Sequence, residues 1–200
     1  MKIIGITGGT GSGKGYVSNH LKTLGAYHLD ADAVGHEIIK KGQLAYDEIV
    51  DYFGKEILGD DGEIMRKSLG RIVFSDAEKL KVLNQCTHKY IQKYIEEEIE
   101  KVGNSSVDCP AFLIDAPLLL EGGLVDVCDA IFVVFAPEYL RVQRIIERDS
   151  ITEELAKQRI TSQKSWSEYE ALATHVIKNE GDEALLKDTL NVIWKDCMEK

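Results

Sequence analysis

Cysteine is sparse in this 200-residue chain, and its spacing is unhelpful for metal or redox chemistry. Cys86, Cys109, Cys128 and Cys197 stand far apart with no C-x-x-C pair, which gives no support to a zinc site or a disulfide framework. They are expected to be reduced and structural. Also missing is any run of the about 18 apolar residues that a membrane-spanning helix needs. The opening "MKIIGIT" passes into glycines after a few apolar residues, unlike a secretory leader, so the expectation is a cytoplasmic protein with no membrane partner. Positive charge is in deficit, with 24 Lys and Arg against 34 Asp and Glu and a net charge of −10. Such a balance opposes non-specific attraction to a nucleic-acid backbone, so nucleic acid is not an expected partner. A small anionic ligand stays possible, because converging N–H groups and a few arginines build a local positive pocket in an acidic protein. There is no internal repeat and no low-complexity segment.

What remains is ordinary for one soluble globular domain: 44% hydrophobic and 29% charged residues, with three prolines. The segments alternate as in an α/β fold. "KIIGIT" (2–7) is a short apolar run ending in glycines, as a buried parallel strand would. "KGYVSNHLKTLG" follows with Val17, Leu21 and Leu24 at helical spacing and Gly25 as a stop. "AYHLDAD" reads as a shorter strand ending in two aspartates. From Ala33 to Val102 the pattern is almost wholly helical, too long for a simple crossover and suited to an insert over a substrate. "AFLIDAP" and "AIFVVFAP" predict central strands, and "HVIKNEG" a last short strand before a closing helix.

The first of these loops carries the strongest chemical signal. In "GGTGSGK", Gly8, Gly11, Ser12, Gly13 and Lys14 have the spacing of a phosphate-binding loop between strand and helix. Glycines allow several N–H groups to converge on a phosphate at a helix N-terminus, and the lysine reaches the β and γ oxygens. Where that motif places a Ser or Thr on Mg²⁺, this chain has Gly15, followed by Tyr16. The N–H groups of Gly15 and Tyr16 remain as donors to phosphate, and a water can take the vacated metal position.

Three further groups of residues are candidates. Asp30 and Asp32 would share one side if the strand persisted, at the sheet edge where open α/β sheets bind ligands. A carboxylate there can accept a proton from a hydroxyl, although Asp32 could equally cap a helix beginning at Ala33. Asp115 ends "AFLID", where such folds hold a carboxylate near a metal and its waters; its alternative is another cap. Arg141, Arg144 and Arg148 form one helical stripe, and Arg159 and Gln163 lie one turn apart farther on. They read either as a solvated face paired with Glu147, Glu153 and Glu154 or as a lid bringing guanidinium groups to a transferred phosphoryl. The histidines His20, His28, His36, His88 and His175 show no ligand spacing.

In order along the chain, "GITGGTGSGKGYV", "DADAVGHE", "LGRIVFSDAEKLKVLNQCTHKYI", "DAPLLLE", "YLRVQRIIERD", "RITSQ" and "ALATHVIKNEG" resemble the dephospho-CoA kinase family. The resemblance covers nearly the whole chain. It implies a three-layer α/β/α P-loop kinase core with a five-stranded parallel sheet, made of residues 1–32, 110–138 and 164–200. It further implies a helical CoA-binding insert at about 33–109 and a lid at about 139–163. The implied activity is transfer of the ATP γ-phosphoryl to the ribose 3'-hydroxyl of dephospho-CoA, with Mg²⁺ as cofactor and a monomer favoured. Asp32 matches the family's carboxylate beside the acceptor hydroxyl. Lys14 would hold the β and γ phosphates, and Asp115 would help to position Mg²⁺. Arg144, Arg148 and Arg159 would neutralise phosphate charge, and the segment around Asn179 would approach adenine.

The chain departs from the family pattern at Gly15 and Tyr16, at Ala116 and at Lys89. Only the first departure touches the chemistry. Two other classes stay in view: a P-loop kinase of another small molecule, and a non-catalytic nucleotide or CoA sensor.

Overall fold

The computed structural model describes residues 1–106, 108–116 and 123–199. Five strands, β1 (Lys2–Thr7), β2 (Tyr27–Asp30), β3 (Ala111–Asp115), β4 (Ala130–Phe135) and β5 (His175–Lys178), form one parallel sheet in the order β2-β3-β1-β4-β5. β1 therefore lies at the centre, with β3 and β4 on either side. The apolar runs explain this order: β3 is buried at every position and β4 at all but its last, the pattern of strands covered on both faces.

Among the described residues the helices are α1 (Lys14–Thr23), α2 (Ala31–Glu37), α3 (Leu44–Phe53), α4 (Arg66–Phe74), α5 (Ala77–Gly103), α6 (Glu138–Asp149), α7 (Glu153–Thr161), α8 (Trp166–Glu170) and α9 (Glu183–Glu199). None is long and apolar enough to cross a membrane.

The chain divides into two compact units, Met1–Leu29 with Val102–Lys200, and Asp30–Lys101. In the first, Ile4, Ile6, Leu113, Phe132 and Val134 of the sheet pack with Val17 and Leu21 of α1 and with Leu186 and Leu190 of α9. In the same unit α6 and α7 pack on each other through a smaller cluster of Val142, Ile145 and Ala156. The second unit has its own core of Ile49, Phe53, Ile57, Ile64, Leu69, Val73 and Cys86. There Lys89, one of the departures from the family pattern, has a local role. Its ammonium and the Tyr90 hydroxyl both donate to Glu48 Oε1 at 2.6 Å, tying α5 to α3.

The parallel topology places the C-terminal ends of β1, β3 and β4 at one edge of the sheet. Ile6 is in register with Asp115, and Thr7 with Val133, so the loop leaving β1 begins beside the end of β3.

Candidate active site

The loop between β1 and α1 turns back on itself, and Ser12 N–H donates to the Gly9 carbonyl at 3.0 Å. Gly13 caps α1 in the left-handed conformation, φ 90° and ψ 22°. A side chain there would be strained, and its Cβ would also collide with the Asn179 amide. Gly11 is left-handed too, at φ 76°, and a Cβ on it would lie 2.7 Å from the Arg141 carbonyl. The backbone thus approaches α6 so closely that only glycine fits.

Charged side chains hold the outer wall of this loop. Arg141 Nε donates to the Thr10 carbonyl at 2.9 Å, and Gln163 Oε1 accepts from Thr10 N–H at 2.7 Å. Arg144 Nη1 donates to the carbonyls of Gly11 and Ser12 at 3.2 and 3.3 Å. Asn179 Nδ2 also donates to the Ser12 carbonyl, at 2.8 Å, while its Oδ1 accepts from Arg144 Nη2 at 3.0 Å. The carbonyls of Thr10, Gly11 and Ser12 are thus taken up by these donors, an arrangement that suits a loop whose remaining N–H groups are to bind an anion. Ser12 Oγ is the one buried side-chain oxygen or nitrogen without a hydrogen-bond partner among the described residues. A buried hydroxyl left so within a loop of this kind fits a site completed by an anion.

Lys14 turns toward β3, where its ammonium is ion-paired with Asp115 Oδ1. The other carboxylate oxygen, Oδ2, accepts from Ser18 Oγ at 2.8 Å and lies 3.3 Å from His28 Nε2. Asp115 is only 6% exposed. Burial pushes its carboxyl pKa up, but His28, the Lys14 ammonium and the Ser18 hydroxyl outweigh burial and hold it below the usual carboxylate value. The side chain is therefore an ionised carboxylate in a nearly dry position. Next to Lys14 in sequence, Gly15 opens on space: a Cβ there would meet nothing within 4 Å. An anionic oxygen donor and room for water together fit a hydrated Mg²⁺.

The other site candidates divide by location. β2 ends at Asp30, so Asp30 and Asp32 do not alternate along a strand; Asp32 lies in the first turn of α2. The cap of α2 is Asp30, whose Oδ1 accepts from Asp32 N–H at 2.9 Å and Ala33 N–H at 3.2 Å. This corrects the capping alternative for Asp32, because the helix starts two residues earlier than Ala33. Tyr16 N–H donates to the Gly13 carbonyl at 3.0 Å, and its phenol donates to Glu183 Oε1 at 3.0 Å. Arg148 and Arg159 meet at Asp149: Arg148 Nε donates to Oδ1 at 2.7 Å, and Arg159 Nη1 is paired with Oδ2. The two guanidiniums hold the Asp149 carboxyl down at about 2. In "DAPLLLE", Ala116 is buried and its N–H donates to the Ile6 carbonyl at 3.2 Å, whereas Pro117 to Glu121 lie outside the described residues.

Ser18 and His28 were not singled out by sequence reasoning as partners of Asp115. Ser18 lies one helical turn after Lys14, a usable signal. His28 carried none, since its partner is 87 positions away.

A model of the dephospho-CoA kinase family matches residues 2–184. A dephospho-CoA kinase of Carboxydothermus hydrogenoformans is 38% identical over 205 residues, covering 100% of this chain and 98% of that protein. The solved dephospho-CoA kinase of Campylobacter jejuni superimposes with a TM-score of 0.73 at 28% identity, over 100% of this chain and 98% of the other. The Acinetobacter baumannii shikimate kinase, solved with shikimate, reaches a TM-score of 0.53 at 15% identity, covering 100% of this chain and 94% of its own, and so shares the fold.

Proposed function

Because the chain belongs to the dephospho-CoA kinase family, we propose that it transfers the γ-phosphoryl of ATP to the ribose 3'-hydroxyl of dephospho-CoA, giving coenzyme A and ADP. The observation that carries the chemistry is the Lys14–Asp115 ion pair beside a glycine loop whose Thr10, Gly11 and Ser12 carbonyls are taken up by Arg141, Arg144 and Asn179. Phosphoryl transfer needs positioning and charge neutralisation more than covalent chemistry, and these parts suit that need.

In this reading the N–H groups of the loop and of Lys14 and Gly15 receive the phosphates, whereas that of Tyr16 is engaged by the Gly13 carbonyl, contrary to the expectation from the sequence. Lys14 exchanges its contact with Asp115 for the β and γ oxygens. Asp32 accepts the proton of the acceptor hydroxyl as that oxygen bonds to the γ phosphorus and the bond from that phosphorus to the bridging oxygen breaks, the oxygen leaving with ADP. Arg144, Arg148 and Arg159 offset the charge on the phosphates, the last two by leaving Asp149. Asp115 would hold Mg²⁺, directly or through water, and the ion would supply charge neutralisation at the phosphate oxygens. Since the Asn179 amide donates to the Ser12 carbonyl of the loop and accepts from Arg144, which itself holds that loop, its part toward adenine is to set the position of the loop and of the residues that follow β5.

The test is a coupled ADP-release assay with ATP and dephospho-CoA over a range of Mg²⁺. Turnover that requires dephospho-CoA is the expected result. Turnover of a nucleoside monophosphate with none of dephospho-CoA would overturn the acceptor assignment. Tight ATP binding with no ADP formed at millimolar Mg²⁺ would point instead to a sensor.

A further inference from the structure

Tyr16 follows Gly15, the position at which the phosphate-loop motif carries a Ser or Thr, and its bulky ring is not needed to bind phosphate. A cavity of about 220 Å³ lies next to the loop, lined by Gly13, Tyr16, Arg144, Asn179, Gly181, Glu183 and Leu186. It begins at Gly13, the cap of α1, so a ligand with its phosphates on the loop would have its remaining part within reach of this space. Its walls are mixed in a way that suits a flat heteroaromatic ring. Arg144 presents a planar guanidinium, Leu186 an apolar side chain, and Tyr16 an aromatic one.

Tyr16 is fixed there from both ends. Its backbone is the first turn of α1, with N–H donated to Gly13, and its hydroxyl donates to Glu183 Oε1 at 3.0 Å. Glu183 is itself anchored by Lys187 at 2.8 Å, one turn along α9. The ring also packs on the core that contains Leu186. Such a ring loses little freedom when a ligand arrives, the condition under which an aromatic contact adds affinity.

We propose that the Tyr16 ring, held by Glu183, is a determinant of nucleotide affinity in this kinase, closing the cavity beside Gly13 against the adenine ring of ATP or ADP. This rests on the reading of the chain as an ATP-using kinase, but not on the identity of its acceptor. Tyr16 acts on the base, while the loop acts on the phosphates. The two contributions are therefore separable by ligands that carry one part and not the other.

The experiment measures binding of ADP and of inorganic tripolyphosphate, both with Mg²⁺, to the full-length protein and to Tyr16→Thr and Tyr16→Phe. Tyr16→Thr should raise the ADP Kd by more than about threefold while tripolyphosphate binding changes by less than that. Tyr16→Phe, which keeps the ring and frees it from Glu183, should fall between wild type and Tyr16→Thr for ADP. An ADP Kd within about threefold of wild type in Tyr16→Thr overturns the proposal. So does an equal loss for both ligands, which would mean a disturbed loop, and so does a Tyr16→Phe no better than Tyr16→Thr. Steady-state kinetics give a second reading: KM for ATP should rise in Tyr16→Thr with kcat nearly kept, and a fall in kcat alone overturns the role. Failure of wild-type protein to bind ADP at all would sink the ATP-kinase reading itself. Failure to use dephospho-CoA, with ADP binding intact, would sink only the acceptor assignment.

Discussion

Lys14, the lysine of the glycine loop, is ion-paired with Asp115 at the end of the adjacent strand, and Ser18 and His28 complete the shell of that carboxylate. A cation and a carboxylate so placed neutralise one another until a phosphate competes for the lysine. The loop therefore holds its lysine in a defined place before nucleotide arrives, at the cost of breaking one contact when it does. Lys14→Ala should lower kcat/KM on the order of 10²-fold or more, because the phosphate loses its nearest fixed counter-charge. Steady-state ADP release measures this, and a loss smaller than tenfold would remove Lys14 from the proposed role.

Ser18→Ala takes one donor from a buried, ionised carboxylate. A hydrogen bond to a charged group contributes about 1.5–3 kcal/mol, so thermal unfolding should shift downward by a readily measured amount. The lysine pair is left in place, and activity should fall far less than in Lys14→Ala. An unchanged melting temperature would show that a water replaces the hydroxyl at no cost.

Gly15→Ser has unusually clear structural room, since a side chain at that position meets nothing within 4 Å. The new hydroxyl should be accepted without loss of stability and should lower the Mg²⁺ concentration giving half-maximal activity. A Mg²⁺ titration of wild type and variant decides the matter. Superimposable curves would mean that the site is built around a water and has no use for the hydroxyl.

Asp32→Asn should reduce kcat by about 10²–10⁴-fold, the range for loss of a general base, with ADP affinity nearly kept. Isothermal titration with ADP beside the kinetic assay separates the two effects. Parallel losses in both would make Asp32 a structural residue. Its placement in the first turn of α2, with Asp30 doing the capping, motivates the prediction.

Asp149 gives a pH prediction. Arg148 and Arg159 depress its folded carboxyl from an ordinary 3.8 to about 2. A depressed carboxylate contributes stability that is fully present above the unfolded value and is lost as pH falls through the folded one. Wild type should therefore be more stable than Asp149→Asn above about pH 4, and the two should converge toward pH 2. Both guanidiniums are exposed, so high salt should narrow the gap. Urea unfolding at several pH values tests both statements.

Much of the fold was legible before any coordinates. β1, β3 and β4 are short runs of consecutive apolar residues bounded by glycine or proline, and strands buried on both faces need that composition. The glycine loop was equally legible, because the backbone geometry at Gly11 and Gly13 excludes other residues and so imprints itself on the sequence. The boundary after Leu29 was harder. A strand and a helix meet there within one "DAD" triplet, and only the hydrogen bonds from Asp32 and Ala33 to Asp30 show which aspartate is the cap.

The sequence by itself determined the class of chemistry. The loop spacing, its lysine and the carboxylate closing a buried run are local patterns, and local patterns survive in one dimension. Tertiary structure alone decided who touches whom. It joined Lys14 and Ser18 to Asp115 about a hundred positions away, and it brought His28 to the same carboxylate. It gave the Arg144 and Asn179 side chains to the loop carbonyls, and it tied Tyr16 to Glu183 at the rim of a cavity. The reason is physical: partner choice follows from which strands lie side by side and which helices cover them, and no spacing along the chain encodes that adjacency.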